Sequence, residues 1–280
     1  MSGSKKLPKA LVGSFVFLVY LFLLAPVIVV AAASFDGGKS VAGRAFLQFP
    51  PSDLTFYWYE QIQPRLWEAL GVSVSVAAVA AMVGTLIGVP AALGIVRSNI
   101  PGKTLIATLF RAPLQIPFIV IGIAFLQTYY YVANTLGIGV QGTFAGLALG
   151  HTFVATPYVV GSVGAALQRF DIRLEEAALS LGANRLTTFR RITLPIIMPG
   201  IYAGALFAFM VSFGDVPIAL FLTSATYTTL PVEIFHGMEF DFEATVLAIS
   251  TVVLLGSLVV LYFIQRLVGL DVLLRSGGSG

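Results

Sequence analysis

The chain contains no cysteine, two histidines and only 10% charged residues. Without cysteine there are no disulfides, no thiolate metal site and no thiol nucleophile, although the compartment stays open. The histidines, His151 and His236, have no companions at metal-ligand spacing. Charge is the more telling scarcity. Soluble chains average about 25% charged and 45–50% apolar residues, against 10% and 58% here. With a mean hydropathy of +0.93, this is the composition of a polytopic membrane protein. It excludes a disordered chain, a disulfide-stapled secreted domain and a basic nucleic-acid binder. The net charge of +3 and the pI near 9.2 point to nucleic acid only until the charges are placed.

Hydrolytic motifs are missing as well. Gly102-Lys103-Thr104 is the nearest approach to a phosphate-binding loop, but the glycine needed five residues before Gly102 is Arg97. Neither an HExxH pair nor a GxSxG elbow occurs. His151 and Ser212 are the only faint candidates for an intramembrane hydrolase. The expectation is a chain that performs no catalysis.

What is present is a series of long charge-free runs. A spanning helix needs about 20 apolar residues. The gaps Lys9–Asp36, Glu68–Arg97, Arg191–Asp215 and Glu243–Arg266 contain 26, 28, 23 and 22 uncharged residues. The gap Arg111–Arg169 contains 57, right for two spans joined through the Gly- and Asn-bearing stretch 133–142. Six spans follow, at about 11–34, 67–96, 107–132, 143–167, 196–222 and 244–266. With residues 1–10 placed inside, 13 of the 16 Lys and Arg fall on the cytoplasmic side, as the positive-inside rule requires. Both termini are then cytoplasmic, and the basic pI records topology. The first apolar stretch exceeds the 7–15 residues of a signal-peptide core and is read as an uncleaved anchor. Within the tail 271–280, Ser276-Gly277-Gly278-Ser279-Gly280 reads as an appended linker.

Gly84-x3-Gly88, Gly146-x3-Gly150 and Gly200-x3-Gly204 are small-x3-small pairs, expected to let helices of one subunit approach closely. The cytoplasmic loop 168–195 carries the densest pattern. Residues 172–181 are helix formers, with Leu174, Ala177, Ala178 and Leu181 on one face. Asp171, Glu175 and Glu176 suit the positive end of the helix dipole. Gly182 is placed to stop it, Asn184 to cap a second short helix, and Pro195 to open the fifth span. An apolar stripe on a water-side helix calls for a partner surface or for the chain's own helix ends.

Glu176-Ala177-Ala178-x3-Gly182-x9-Ile192-x-Leu194-Pro195 resembles the EAA motif of binding-protein-dependent ABC importer permeases. The resemblance extends over roughly residues 55–270. It implies an all-α fold with six transmembrane helices of the type I importer kind. It also implies that loop 168–195 is a coupling helix docked on an ATP-binding subunit, with Leu174, Ala177, Ala178 and Leu181 as apolar contacts. Glu176 would be the polar anchor and Gly182 the turn. The implied partners are a second related permease, two ATPase subunits holding ATP and Mg, an extracytoplasmic solute-binding protein and the bilayer, with no nucleic acid. No cofactor is expected on this chain. Three further segments, 54–59, 151–158 and 229–234, are similar to the spermidine/putrescine-type second permease. Iron, opine, phosphonate and other organic-solute importers share these features.

Asp215 is the only acid well inside an expected span, where a carboxylate costs roughly 2.5–3.5 kcal/mol on insertion scales. It must therefore face protein or a water-filled cavity. One reading makes it a solute-path residue attracting a cation, with His151 and Ser212 nearby. The other pairs it with His151. Where the polyamine-type family tends to carry two acids, this chain reads Ser212-Phe213-Gly214-Asp215. Gln127, Tyr129 and Tyr130 line the same cavity or belong to an interfacial aromatic belt, as does the cluster 56–59. Gly214 and Pro217 mark a place for the fifth span to break. The outer acidic stretch 233–243 is expected to be solvated or to meet the binding protein.

Overall fold

A computed structural model describes residues 9–37, 49–98, 101–239 and 244–268. Residues 1–8, the tail 271–280 and the acidic stretch 240–243 lie outside the described residues. Among those described, no sheet forms, and Asp36 and Leu54 make an isolated antiparallel bridge. Five helical stretches are long and apolar enough to cross a membrane: Val12–Ala33, Pro64–Arg97, Phe118–Leu136, Phe144–Gln168 and Arg185–Phe213. A further helix, Ala244–Val268, stands where the sixth span was expected, with Ala244–Val260 as its described apolar part.

Two compact units divide the described chain, one within Met1–Leu66 and His236–Val268, the other within Trp67–Phe235. In the first, α1 (Lys9–Ala33) and the single turn α2 (Tyr57–Glu60) precede the distant α12 (Ala244–Val268), which packs on both. Apolar on every side and exposed along most of its length, α1 has the surface of a helix solvated by lipid. Its end is closed by a polar and aromatic knot. Asp36 accepts the Ser52 N–H at 2.9 Å and the Trp58 indole N–H, through its carbonyl, at 2.8 Å. Phe35 stacks edge-on against Phe56 at 5.3 Å. The expected interfacial cluster 56–59 is thus partly tied down, while Phe56 and Tyr57 stay exposed.

The second unit runs α3 (Pro64–Arg97), α4 (Lys103–Arg111), α5 (Phe118–Leu136), α6 (Phe144–Gln168), α7 (Arg173–Ser180), α8 (Arg185–Thr188), α9 (Leu194–Phe213), α10 (Ala219–Leu222) and α11 (Leu230–Glu239). The first three residues of α3 and the last four of α11 fall in the other unit. At its centre lies α6, buried over most of its length and paired chiefly with α9. Glycine makes that pairing close. A Cβ added at Gly204 would meet the Val159 Cα at 2.9 Å, and one at Gly200 the Ala166 Cβ at 2.7 Å. Gly88 of α3 approaches the same residue, to 2.8 Å of the Val159 side chain by the same measure. The glycine pairs therefore pack helices within the subunit.

Two expected spans are broken in the structure, the third where no break was expected and the fifth where Gly214 and Pro217 had marked one. The stretch 107–132 divides at Ala112–Pro117 into α4 and a later-starting α5. Pro113 and Pro117 lack the N–H that a continuing helix needs; Pro113 sits in a single tight turn, Ala112–Leu114, and Pro117 biases the residue before it away from helical backbone. The amphipathic α4, with Lys103 and Arg111, is thereby set apart from the apolar α5. The stretch 196–222 likewise breaks after Phe213, and α10 follows Gly214–Ile218. Elsewhere the boundaries agree within a few residues. Gly137, at φ +69°, stops α5, and the Thr143 hydroxyl caps α6 by accepting the Gly146 N–H at 3.1 Å.

Gly204→Ala is expected to overpack the α6–α9 contact at a cost of about 1–3 kcal/mol, lowering the melting temperature of the detergent-solubilised chain by several degrees. Gly161→Ala, with nothing within 4 Å of the added methyl, is expected to leave it unchanged or slightly higher. Equal melting temperatures for the two variants would refute the close-approach account.

Candidate functional site

The loop 168–195 is built by short-range capping. Asp171 Oδ1 accepts the Arg173 N–H at 3.0 Å, fixing the start of α7. At its other end Gly182 takes φ +87°, and the Ala183 N–H returns to the Ala178 carbonyl at 3.0 Å. A left-handed residue there is why glycine occupies it. Asn184 Oδ1 then accepts the Thr187 N–H at 2.8 Å and opens α8. A π-helical turn, Phe189–Thr193, feeds into α9, whose first turn holds Pro195.

Of the residues named for docking, Leu181 is 88% exposed and Leu174 46%. Glu176, Ala177 and Gly182 are exposed as well, while Ala178 is half-buried. The outward surface of α7 is thus an apolar patch with a carboxylate on it. Glu175, one residue earlier and about 100° around the helix, turns the other way. Its carboxylate meets the Arg97 guanidinium at the end of α3 at 2.7 Å and accepts the Thr193 hydroxyl. Arg97 also lies over the Phe170 ring, 5.1 Å from its centroid. A cleft of about 300 Å³ opens beside this group, bordered by Leu179, Arg185, Thr188 and Phe189. Sequence reasoning missed the clasp, because nothing local links Arg97 to Glu175.

The second group lies where α6, α9 and α10 meet. Asp215 is 4% exposed. Its Oδ2 accepts the N–H groups of Ile218 and Ala219 at 3.0 and 2.9 Å, so it caps the turn that resumes as α10. The expected pairing with His151 is not made. The imidazole Nδ1 bonds the Ser212 hydroxyl at 2.9 Å instead. Asp215 Oδ1 and His151 Nε2 are both buried without a hydrogen-bond partner. The break at Gly214 explains the change, since it turns the carboxylate onto the freed backbone of its own segment. His151 and Ser212 are both buried, so the pair offers a substrate no access. Tyr129 is buried and donates to the Gly146 carbonyl at 2.7 Å, which makes it a packing residue here. Gln127 and Tyr130 are exposed. A separate groove of about 530 Å³, lined by Val83, Ile87, Phe110, Leu149, Phe153 and Pro157 among others, is almost wholly apolar and includes none of the path candidates. Among the described residues no cluster could hold a metal ion.

A central close-packed helix pair and a capped short helix leading into α9 coincide with a family match over residues 84–272, described as binding-protein-dependent transport system inner membrane component. The chain belongs to that family. This permease is 30% identical over 254 residues to the spermidine/putrescine transport system permease protein PotC of Haemophilus influenzae, covering 90% of this chain and 94% of the relative. It is 31% identical over 238 residues to the putrescine transport system permease protein PotI of Escherichia coli K12, covering 84% and 82%. Among solved structures, a chain of a bacterial ABC transporter involved in the import of the acidic polysaccharide alginate shares the fold. The TM-score is 0.71 at 16% identity, covering 95% of the permease and 98% of that chain. The permease is a multi-pass membrane protein of the type I ABC importer family, and its relatives are transport permeases, not enzymes.

Asp215→Asn keeps an oxygen that can accept the two N–H groups and is expected to leave the melting temperature of the purified permease nearly unchanged. Asp215→Ala removes the cap and should cost about 1 kcal/mol, visible as a clear drop in the same thermal scan. A similar loss in both variants would refute the capping role.

Proposed function

We propose that the permease forms one half of a solute path through the bacterial cytoplasmic membrane and couples it to ATP hydrolysis through α7. The reading rests on one observation above all: an apolar, solvent-exposed helix face bearing Leu174, Ala177, Leu181 and Glu176, held firm by caps at both ends. Left in water, such a face is an unpartnered apolar patch, and a cleft on an ATPase subunit would cover it. The basic residues then mark α7 and both termini as cytoplasmic. ATP and Mg bind to two partner ATPases. A second, related permease completes the path, and an extracytoplasmic binding protein delivers the solute. Closure of the ATPases moves α7 with the start of α9, and the two permeases rock between outward-open and inward-open states.

For the solute, a polyamine-like or other organic cation is the first choice, supported by what the named relatives carry and by the free Oδ1 of Asp215. In this conformation that oxygen is sealed, so a solute would reach it only when the α9–α10 break opens. One unpaired carboxylate oxygen, with glycine beside it at position 214, equally suits an importer for another solute such as an iron complex, an opine or a phosphonate. A self-contained secondary transporter is the rival mechanism, and it predicts uptake without ATPase subunits.

Glu176→Lys places the wrong charge on an exposed position without removing a cap. In proteoliposomes holding the assembled complex it is expected to cut ATP-dependent uptake about tenfold or more, the loss for one interface contact worth about 1.4 kcal/mol. Uptake at the wild-type rate would remove α7 from the coupling path. Asp215→Asn, scored by solute-stimulated ATP hydrolysis, is expected to raise the half-saturating solute concentration. An unchanged value would take Asp215 out of the solute path.

A further inference from the structure

The structure assigns the Arg97–Glu175–Thr193 clasp a coupling role: it locks α7 to the cytoplasmic end of α3, so that a push on α7 moves α3 as well as α9. The inference builds on the docking role proposed for α7. By chain connectivity alone, α7 can pull only on its neighbours in sequence, α6 before it and α9 after it. Glu175 adds a third attachment. Its carboxylate bonds Arg97 at 2.7 Å and receives the Thr193 hydroxyl, and the guanidinium lies over Phe170 just beyond the end of α6. The ends of α3 and α9 thus meet on one side chain of α7, and the residue just beyond α6 lies against the arginine of the same pair.

The surroundings favour a working contact over an incidental surface pair. Surface ion pairs contribute little because water competes for both partners. Here the side chains are only 16% and 26% exposed, and one guanidinium nitrogen is fully buried. The end of α3 is further closed by Lys103, whose ammonium donates to the Val96 carbonyl at 3.0 Å. The adjacent carboxylates Glu175 and Glu176 therefore divide the work. Glu176 faces the space where a partner docks, and Glu175 holds the docked helix to the membrane domain. Arg97 and Glu175 are positioning residues, since neither meets solute or nucleotide.

The absence of cysteine makes the test direct. Spin labels at Arg173→Cys on α7 and Ser98→Cys just beyond α3 report their separation by electron paramagnetic resonance. In the complex with its ATPases, wild-type clasp residues are expected to give one narrow distance, the same without nucleotide and after trapping with ATP and vanadate. Arg97→Ala or Glu175→Gln is expected to shift or split that distance on trapping by about 3 Å or more, the rise of two helical residues. The reversed pair Arg97→Glu with Glu175→Arg should restore the single narrow distance. A wild-type distance that changes on trapping, single variants that keep it, or a reversed pair as dispersed as the singles would each overturn the clasp. A label at Leu181→Cys that stays mobile when ATPases are added would instead defeat the docking role of α7. In that case the distance distributions of the isolated permease and of its Arg97→Ala form still decide the clasp.

Discussion

The close approach of three helices at Val159 is the contact on which the larger unit depends. Gly88 from α3 and Gly204 from α9 both close on this one residue of α6, which is fully buried. In a bilayer, lipid is as apolar as leucine, so helices gain little from hiding apolar surface from each other. What remains is van der Waals contact, and glycine maximises it by letting backbones come together. Positions along α6 that lack side-chain bulk, or face glycine, therefore fix which helices become its neighbours. Those neighbours then fix where α7 hangs beneath the bundle and where the break after α9 falls above it.

Polar groups follow the same economy. Each hydroxyl on the buried part of α6 bonds back to its own helix, Thr152 to the Ala148 carbonyl and Thr156 to the Thr152 carbonyl. Among the described residues the exceptions are one atom each of Arg97, Gln141, His151, Asp215 and Thr229. Between α6 and α10, Asp215 and His151 each keep one buried atom without a partner. Beneath the bundle, Arg97 does the same while its other nitrogen meets Glu175. An unpaired buried polar atom costs free energy, so these two places are among those where the resting arrangement is least satisfied. They sit at opposite ends of the α6–α9 pair, one near the proposed solute path and one at the proposed drive.

Much of the fold was legible in the residues themselves. Charge-free runs located the apolar helices, because length and hydropathy alone decide what a bilayer accepts. The stop of α7 and the cap of α8 were legible for an equally local reason: Gly182 and Asn184 serve backbone groups within a few residues of themselves, whereas Asp171 was read only as a partner of the helix dipole. Broken helices were harder. Gly214 and Pro217 flagged one break, whereas Pro113 and Pro117 were passed over because the run between Arg111 and Arg169 stayed uncharged throughout. Tyr129 looked like a cavity or belt residue because its depth was readable and its direction was not.

By itself, the sequence determined an all-helical membrane permease, the extent of its charge-free segments and the capped helix with its exposed apolar face. These follow from hydropathy, charge placement and short-range backbone bonding, which need no knowledge of distant neighbours. Tertiary structure decided which of two adjacent glutamates turns inward and what it meets, and it gave Asp215 to its own backbone and His151 to Ser212. Those outcomes depend on residues far apart in the chain, brought within about 3 Å by helix packing, a distance at which hydrogen bonds form and which no local pattern encodes.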